Sequence, residues 1–293
     1  MKVLLLGYGE MGHAFEFMLS RHHEVRIWSL ELPGCLEDLS KDIEVIIFCL
    51  PVNAHEEVLQ QLLPYMQLGT LCLTIAKGLN ESGLTAQQIF ESGLKGKYPF
   101  GVIYGPMISE EIRRDRYSFA DVAMSKHENF EIATRLLSGS KLIFRHSTDM
   151  TGISWSVILK NVYAILFGIA DGLQLGDNMR GHLMVQAIAE LSSIVRQMGG
   201  DAASCISYAG LGDLVTTATS IDSHHHALGV KISRGEYTTL QGEGVHTLQM
   251  IERYRLFSSE DYPLFSLVAD IMHKPENAAA LLNGYMQNLL SKV

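Results

Sequence analysis

The chain opens MKVLLLGYGEMGHAFEFMLSRHH, and this stretch limits the fold more than any other. An apolar run from Lys2 to Leu6 ends at Gly7-Tyr8-Gly9-Glu10-Met11-Gly12, and the residues from His13 to His23 read as a helix, so the order is strand, glycine turn, helix. Gly7 makes a tight turn, Gly9 lets backbone approach a pyrophosphate, and Gly12 lets helix and strand pack closely, with the phosphates on the helix N-terminus. A bare G-x-G-x-x-G is a common turn, but this one comes after a strand and precedes, after about a dozen residues, a second strand, Glu24 to Trp28. The context predicts a dinucleotide site at Gly7, Gly9, Glu10, Met11 and Gly12. Glu10 is unusual there, because a carboxylate near a pyrophosphate is unfavourable unless it points away. After the second strand an acidic residue would bind a ribose hydroxyl and exclude a 2′-phosphate. Ser29 stands there instead, with neither the carboxylate of an NAD site nor the arginine of an NADP site. Its hydroxyl can bond a phosphate, which favours NADP over NAD. Glu31 is either a displaced ribose ligand or a solvated loop charge, and Arg26 is expected to point elsewhere.

Strands and helices go on alternating. Asp42 to Pro51 reads as a buried strand stopped by proline, Asn53 to Met66 as an amphipathic helix, and Leu71 to Ala76 as a strand ending at Lys77-Gly78. Tyr98 to Tyr104 is a further strand closing in Gly105-Pro106, and Tyr117 to Met124 and Lys141 to His146 flank a helix from Glu128 to Leu137. The pattern predicts an α/β fold, a Rossmann-type doubly wound and mostly parallel sheet with helices on both faces. Ligands of such sheets bind beyond the carboxyl ends of the strands, which puts Pro51, Val52, Asn53 and Lys77 on the cofactor side. From Met150 onward helical runs cover about 150–173, 179–198, 201–208, 223–234 and 244–255, with one or two more between 263 and 292. The domains expected are therefore a dinucleotide-binding domain over 1–147 and an all-helical substrate domain over 148–293.

Within the first of those helices, Ile153, Trp155, Val157, Ile158, Leu159 and Val162, continued by Tyr163 to Phe167, are apolar nearly all round, the mark of a buried helix. Lys160 and Asn161 interrupt it. A buried ammonium costs roughly several kcal/mol unless it is paired or working. Such a lysine either snorkels from one wet face or hands a proton to a substrate oxygen. The helix starts at the domain junction, where small-molecule sites are common.

Composition narrows the class further. With 23 basic and 32 acidic side chains the net charge is -9, which argues against a general nucleic-acid surface or a polybasic membrane anchor. The first apolar run is too short for a signal peptide, and no stretch of about eighteen uncharged apolar residues suggests a membrane span. Cys35, Cys49, Cys72 and Cys205 lack C-x-x-C spacing and read as free thiols of a cytoplasmic protein. His224, His225 and His226 project about 100° apart on a helix, so no metal site is expected. His22, His23 and His246 read as surface or packing residues, and Met11, Met18, Met179 and Met184 as core or dimer-interface packing.

Taken in order, the motifs resemble the NAD(P)-dependent glycerol-3-phosphate dehydrogenase family, in particular its bacterial type. The matching residues are GYGEMG, Leu50-Pro51, Ala76-Lys77-Gly78-Leu79, Tyr104-Gly105-Pro106, Ile158-Leu159-Lys160-Asn161-Val162 and Gly168 to Leu173. They continue with Gly176-Asp177-Asn178, Gly199-Gly200-Asp201, Ala209-Gly210-Leu211-Gly212-Asp213-Leu214 and Gly242-Glu243-Gly244-Val245. The resemblance implies reversible hydride transfer between a nicotinamide and dihydroxyacetone phosphate, giving sn-glycerol 3-phosphate. It makes Lys160 the catalytic proton donor, Asp213 the residue that orients it, and Lys77 a lysine touching both substrate and cofactor. Gly105, Asn161, Thr217, Ser223, His224 and His225 fall at substrate positions, with Thr217 bonding a substrate hydroxyl. Ser29, Leu50, Pro51, Ser109, His224 and Glu243 fall at cofactor positions beside the glycine turn. Asp171, about three turns beyond Lys160, reads as structural. A homodimer through the helical domain is the family expectation, and NADP use would favour reduction and supply of glycerolipid precursors.

The chain departs from the family where a Ser-Arg-Asn run normally grips phosphate, for here it reads Ser223-His224-His225-His226. Histidine is mostly neutral near pH 7 and lacks arginine's bidentate fork. Met107-Ile108-Ser109 also departs from the family pattern. Two alternatives arise, a dehydrogenase of the same fold for another small carbonyl or 3-hydroxy acid, and a non-catalytic nucleotide-binding protein. Joint retention of Lys77, Lys160, Asp213 and Thr217 speaks against the second.

Overall fold

A computed structural model describes residues 1–220, 223–238 and 240–291. The chain forms two compact units, Met1–Ser154 and Trp155–Val293. Their limit lies seven residues beyond the expected one, because the start of the lysine helix belongs to the first unit, where Thr151 and Gln87 bond through their side chains.

The first unit contains β1 (Lys2–Leu6), α1 (Glu10–Leu19), β2 (Glu24–Trp28), α2 (Leu36–Leu39), β3 (Val45–Phe48), α3 (His55–Leu62) and β4 (Leu71–Thr74). It continues with α4 (Ala86–Leu94), β5 (Phe100–Tyr104), α5 (Ser109–Arg113), β6 (Ser118–Met124), α6 (Phe130–Leu137) and β7 (Leu142–Ser147). The seven strands lie in the order β2-β1-β3-β4-β5-β6-β7. The first five are parallel, β6 runs antiparallel to β5, and β7 is parallel to β6. Every residue of β3, β4 and β5 is buried, as a sheet covered on both faces requires. From β1 the chain steps to β2 on one side and β3 on the other, so the topological switch point lies between the carboxyl ends of β1 and β3. Gly7 and Leu50-Pro51 come directly after those two ends. Helix α4 was not expected from the sequence, although Thr85 and Gln88 form a reciprocal capping box at its start.

The second unit holds most of α7 (Met150–Gly172), then α8 (Gly176–Gln197), α9 (Asp213–Thr219), α10 (His224–Ser233), α11 (Glu243–Tyr254), α12 (Pro263–His273) and α13 (Ala278–Leu290). Among the described helices α7 is long and apolar enough to cross a membrane, but its apolar window is wholly buried in protein, as in a core helix. The single helix expected over 201–208 is instead a 3-10 turn, Ala202–Ile206, with a π-turn, Tyr208–Gly212, after it. Asp201 caps the first through the amide of Ala203 and Ser207 the second through that of Gly210. A Cβ on Gly210 would lie 2.2 Å from the carbonyl oxygen of Cys205, so only glycine allows this compact entry into α9.

A buried carboxylate fixes α12. Glu190 on α8 accepts from the amides of Leu264 (2.6 Å) and Phe265 (3.0 Å), two of the donors that the start of α12 leaves without helical partners, and from Tyr163 Oη at 3.0 Å. Burial raises the pKa of Glu190, against the opposing pull of these three bonds. Glu190→Ala would strand a buried phenol and both amides, and the expected loss is about 2–4 kcal/mol by urea unfolding, with a smaller loss for Glu190→Gln. A loss below about 1 kcal/mol for the alanine variant would contradict this role.

Candidate active site

The glycine turn has the geometry its spacing predicts. Gly7 has φ +98°, and a Cβ on Gly12 would lie 2.3 Å from the Gly7 carbonyl oxygen, so neither position tolerates a side chain. A Cβ on Gly9 would meet nothing within 4 Å, which leaves the backbone open to a ligand at the N-terminus of α1. These residues fit a dinucleotide pyrophosphate. Leu50 packs against the turn, since a Cβ on Gly7 would come within 2.9 Å of its Cδ2. Met11, in the first turn of α1, is partly buried and packs against the core of this unit. Glu10 accepts a hydrogen bond from Arg113 Nη2 at 2.6 Å, so its carboxylate is directed to α5 and carries a counter-charge there. Sequence reasoning missed Arg113, which lies about a hundred residues away in a helix too short to be noticed.

At the end of β2, Ser29 is half-buried and Glu31 exposed. Arg26 is committed elsewhere, to Glu24 Oε1 and to the carbonyls of Leu39 and Lys41. Ser109 opens α5, and its hydroxyl donates to Glu110 Oε2 at 2.9 Å. Lys77 and Gly105, predicted separately, are brought together. Lys77 Nζ donates to the Gly105 carbonyl at 3.2 Å, and Tyr104 Oη donates to that of Ala76 at 2.9 Å, which ties the turns after β4 and β5. Beyond Lys77 the side chain of Asn80 accepts from the amides of Ser82 and Leu84, making a rigid Asx turn.

In the second unit Lys160 is 5% exposed, so it does not snorkel. Its Nζ lies 3.2 Å from Asp213 Oδ2 and donates to Thr217 Oγ1 at 2.5 Å. Asp213 and Thr217 are four residues apart on α9 and face the same way. The resemblance gave Thr217 to a substrate hydroxyl, whereas in this structure its oxygen accepts from the lysine. Asn161, also buried, donates through Nδ2 to Glu243 Oε2 at 3.2 Å. The first turn of α11 packs tightly there, with a Cβ on Gly244 placed 2.7 Å from the Asn161 carbonyl oxygen.

The histidine run divides into three fates. Ser223 is the N-cap of α10, accepting from the His226 amide at 3.3 Å. His226 Nε2 lies 2.7 Å from Asp171 Oδ2, while Asp171 Oδ1 accepts from Arg180 Nε at 2.6 Å. Burial pushes the Asp171 carboxyl up, but the bonds from Arg180 and His226 outweigh it and hold the pKa below its ordinary value. Asp171 thus ties α7, α8 and α10 to one another. His224 is exposed, and His225 is half-buried, its ring 3.9 Å from where a Gly242 Cβ would stand. Of Ser223, His224 and His225, then, the hydroxyl is used as a cap, one ring is exposed, and one ring lies near Gly242. A Cβ on Gly229 would fall 2.0 Å from the Ile165 carbonyl oxygen, so α10 touches α7 backbone to backbone and the run is held rigidly. Among the described residues no group of three or more His, Cys, Asp or Glu side chains is arranged to hold a metal ion.

Comparison with known proteins agrees over most of the length. The family model for the NAD-dependent glycerol-3-phosphate dehydrogenase N-terminus matches residues 31–130, and the one for the C-terminus matches residues 149–283. A glycerol-3-phosphate dehydrogenase [NAD(P)+] of Agrobacterium fabrum is 31% identical over 278 residues, 91% of this chain and 84% of that protein. One from Pelotomaculum thermopropionicum is 28% identical, covering 97% of this chain and 93% of that protein. The solved structure of glycerol-3-phosphate dehydrogenase from Coxiella burnetii has the same fold, with a TM-score of 0.84 at 24% identity over 96% of this chain and 98% of that one. By these matches over both units, the chain belongs to the NAD-dependent glycerol-3-phosphate dehydrogenase family.

Proposed function

We propose that the protein reduces dihydroxyacetone phosphate to sn-glycerol 3-phosphate with NAD(P)H, reversibly. The observation that carries the reading is the buried Lys160 held by Asp213 and Thr217, on the motifs the family uses. A bound nicotinamide supplies the hydride. As the C2 carbonyl carbon gains it, negative charge develops on the carbonyl oxygen, and the Lys160 ammonium stabilises that charge and gives up a proton to it. Asp213 orients Nζ and favours its charged form, and Thr217 fixes the second donor direction. Lys77, held to Gly105 at the carboxyl end of the sheet, neutralises anionic charge on substrate and cofactor. His226 is committed to Asp171, which leaves His224 and His225 of the histidine run to meet an anionic ligand, and a neutral imidazole offers one donor where arginine offers a fork. Ser29, with no carboxylate immediately after it, favours NADP(H).

The four cysteines are free thiols, which fits a reducing cytoplasm. Exposed Val185, Ile206 and Val215 on the helical unit fit a homodimer through that unit.

Absorbance at the reduced-nicotinamide band, with dihydroxyacetone phosphate and dihydroxyacetone in parallel, tests the reading. Turnover of the phosphate ester alone, with a lower KM for NADPH than for NADH, is expected. No turnover by protein that binds NADPH would contradict it and favour another small carbonyl. A second test concerns the glycine turn. Arg113→Ala leaves the Glu10 charge uncompensated beside the pyrophosphate, and NADPH Kd should rise about three- to tenfold at low salt, with Glu10→Gln in the same chain restoring it. An unchanged Kd for Arg113→Ala, or a double variant as weak as the single one, would show that Arg113 does not offset Glu10.

A further inference from the structure

His55 is the first residue of α3 and is fully buried, with its ring 4.9 Å from that of Phe48 and 5.7 Å from that of Phe90 between centroids. A lone histidine on an apolar helix face is most often satisfied packing. This one joins two functional turns. Its Nδ1 lies 3.0 Å from the carbonyl oxygen of Pro51, four residues back in the turn after β3. Its Nε2 lies 2.8 Å from Thr74 Oγ1, the last side chain of β4. A carbonyl oxygen only accepts, so Nδ1 carries the proton and Nε2 accepts from the Thr74 hydroxyl. The same Oγ1 in turn accepts from the amide of Ala76 at 3.0 Å, and Ala76 leads directly to Lys77. The chain of bonds thus runs from the Pro51 carbonyl through imidazole and hydroxyl to the residue before the lysine. Tyr104 holds the other side of Ala76.

We infer that His55 is a positioning residue: as a neutral imidazole in its Nδ1–H form it sets the spacing between the Pro51 turn, at the dinucleotide switch point, and the Lys77 turn. The inference rests on the proposed function, which gives Lys77 and Pro51 their ligands. Reactive and binding groups need placement to within a fraction of an ångström, and a bond network among buried groups supplies it where a loop alone would not. Burial pushes the His55 pKa down from its ordinary 6.5 to about 4, only partly opposed by the bond to Pro51. Between those values the unfolded chain holds the proton and the folded chain does not, so stability rises with pH across this window. It is complete above about pH 6.5 and lost as pH falls toward about 4. In His55→Gln that part of the acid slope should vanish.

The two ends of the bridge can be broken separately. Thr74→Val removes the hydroxyl but keeps its shape, and should lower kcat/KM for dihydroxyacetone phosphate about tenfold with a smaller, about two- to threefold, rise in NADPH Kd because Lys77 also meets the cofactor, and Thr74→Ser should stay close to wild type. His55→Gln can turn its side-chain oxygen to accept from Thr74 but puts no donor at the Nδ1 position facing Pro51, and should raise NADPH Kd about fivefold. Both constants moving together in proportion to lost thermal stability, or neither moving, would overturn the inference. Should the variants not fold, ¹⁵N NMR of the wild-type imidazole decides: a protonated Nδ1 and bare Nε2 at neutral pH support it, and the reverse form overturns it. Wild-type protein that binds NADPH but reduces no dihydroxyacetone phosphate would end the functional reading, while the imidazole form and the nucleotide constant would still judge His55.

Discussion

The structure of the helical unit depends on one ion pair in a dry place. Lys160 and Asp213 are both under one-tenth exposed, and at that depth neither charge is tolerable without the other. Such a pair adds little net stability over apolar residues of the same volume, because desolvation consumes most of the attraction. What it does add is an ammonium kept charged and aimed, which water would otherwise screen. The surrounding irregularities serve that end. A π-turn at Tyr208–Gly212 delivers Asp213 and Thr217 to the lysine from the first turns of α9, and π-turns of this kind often mark functional sites.

Charge is managed in the sheet unit by the same logic. Its glycine turn must receive anions at the start of α1, yet the first helical residue is a glutamate. Pairing with Arg113 removes that conflict at the surface, where such a pair is worth little to stability and its effect is on the local field. Lys77 is tied to Gly105 and, through Ala76, to Tyr104 and Thr74. At the carboxyl edge Lys77 is therefore held by a backbone carbonyl, and Glu10 by its ion pair with Arg113.

Much of this was legible in the sequence because it is written in local patterns. The order of strand, glycine turn and helix comes from spacing alone, although the helix runs from Glu10 to Leu19 rather than from His13 to His23, and Lys160 declared itself as a charge in an apolar helix. Resemblance then supplied Asp213, which no local rule connects to a lysine fifty-three residues earlier. The parts that escaped are long-range or depend on which polar atom faces which. Arg113 meets Glu10 only once the sheet is built, and the burial of His55 needs Phe48 and Phe90 around it. The three adjacent histidines looked alike in sequence, yet Asp171 claims one and leaves another exposed. Thr217 stands beside the lysine, and its oxygen serves Nζ before it serves any substrate.

The central claim is that the Lys160 ammonium carries the proton and the developing charge. Removing it alone would take from the buried Asp213 its lysine counter-charge, so Lys160→Met is best made together with Asp213→Asn and compared with Asp213→Asn alone. In rapid mixing of prebound NADPH with dihydroxyacetone phosphate, hydride transfer in the double variant should be at least about a hundredfold slower than in the single one, at similar NADPH Kd. Rates within about threefold of each other would contradict the assignment of the lysine to catalysis.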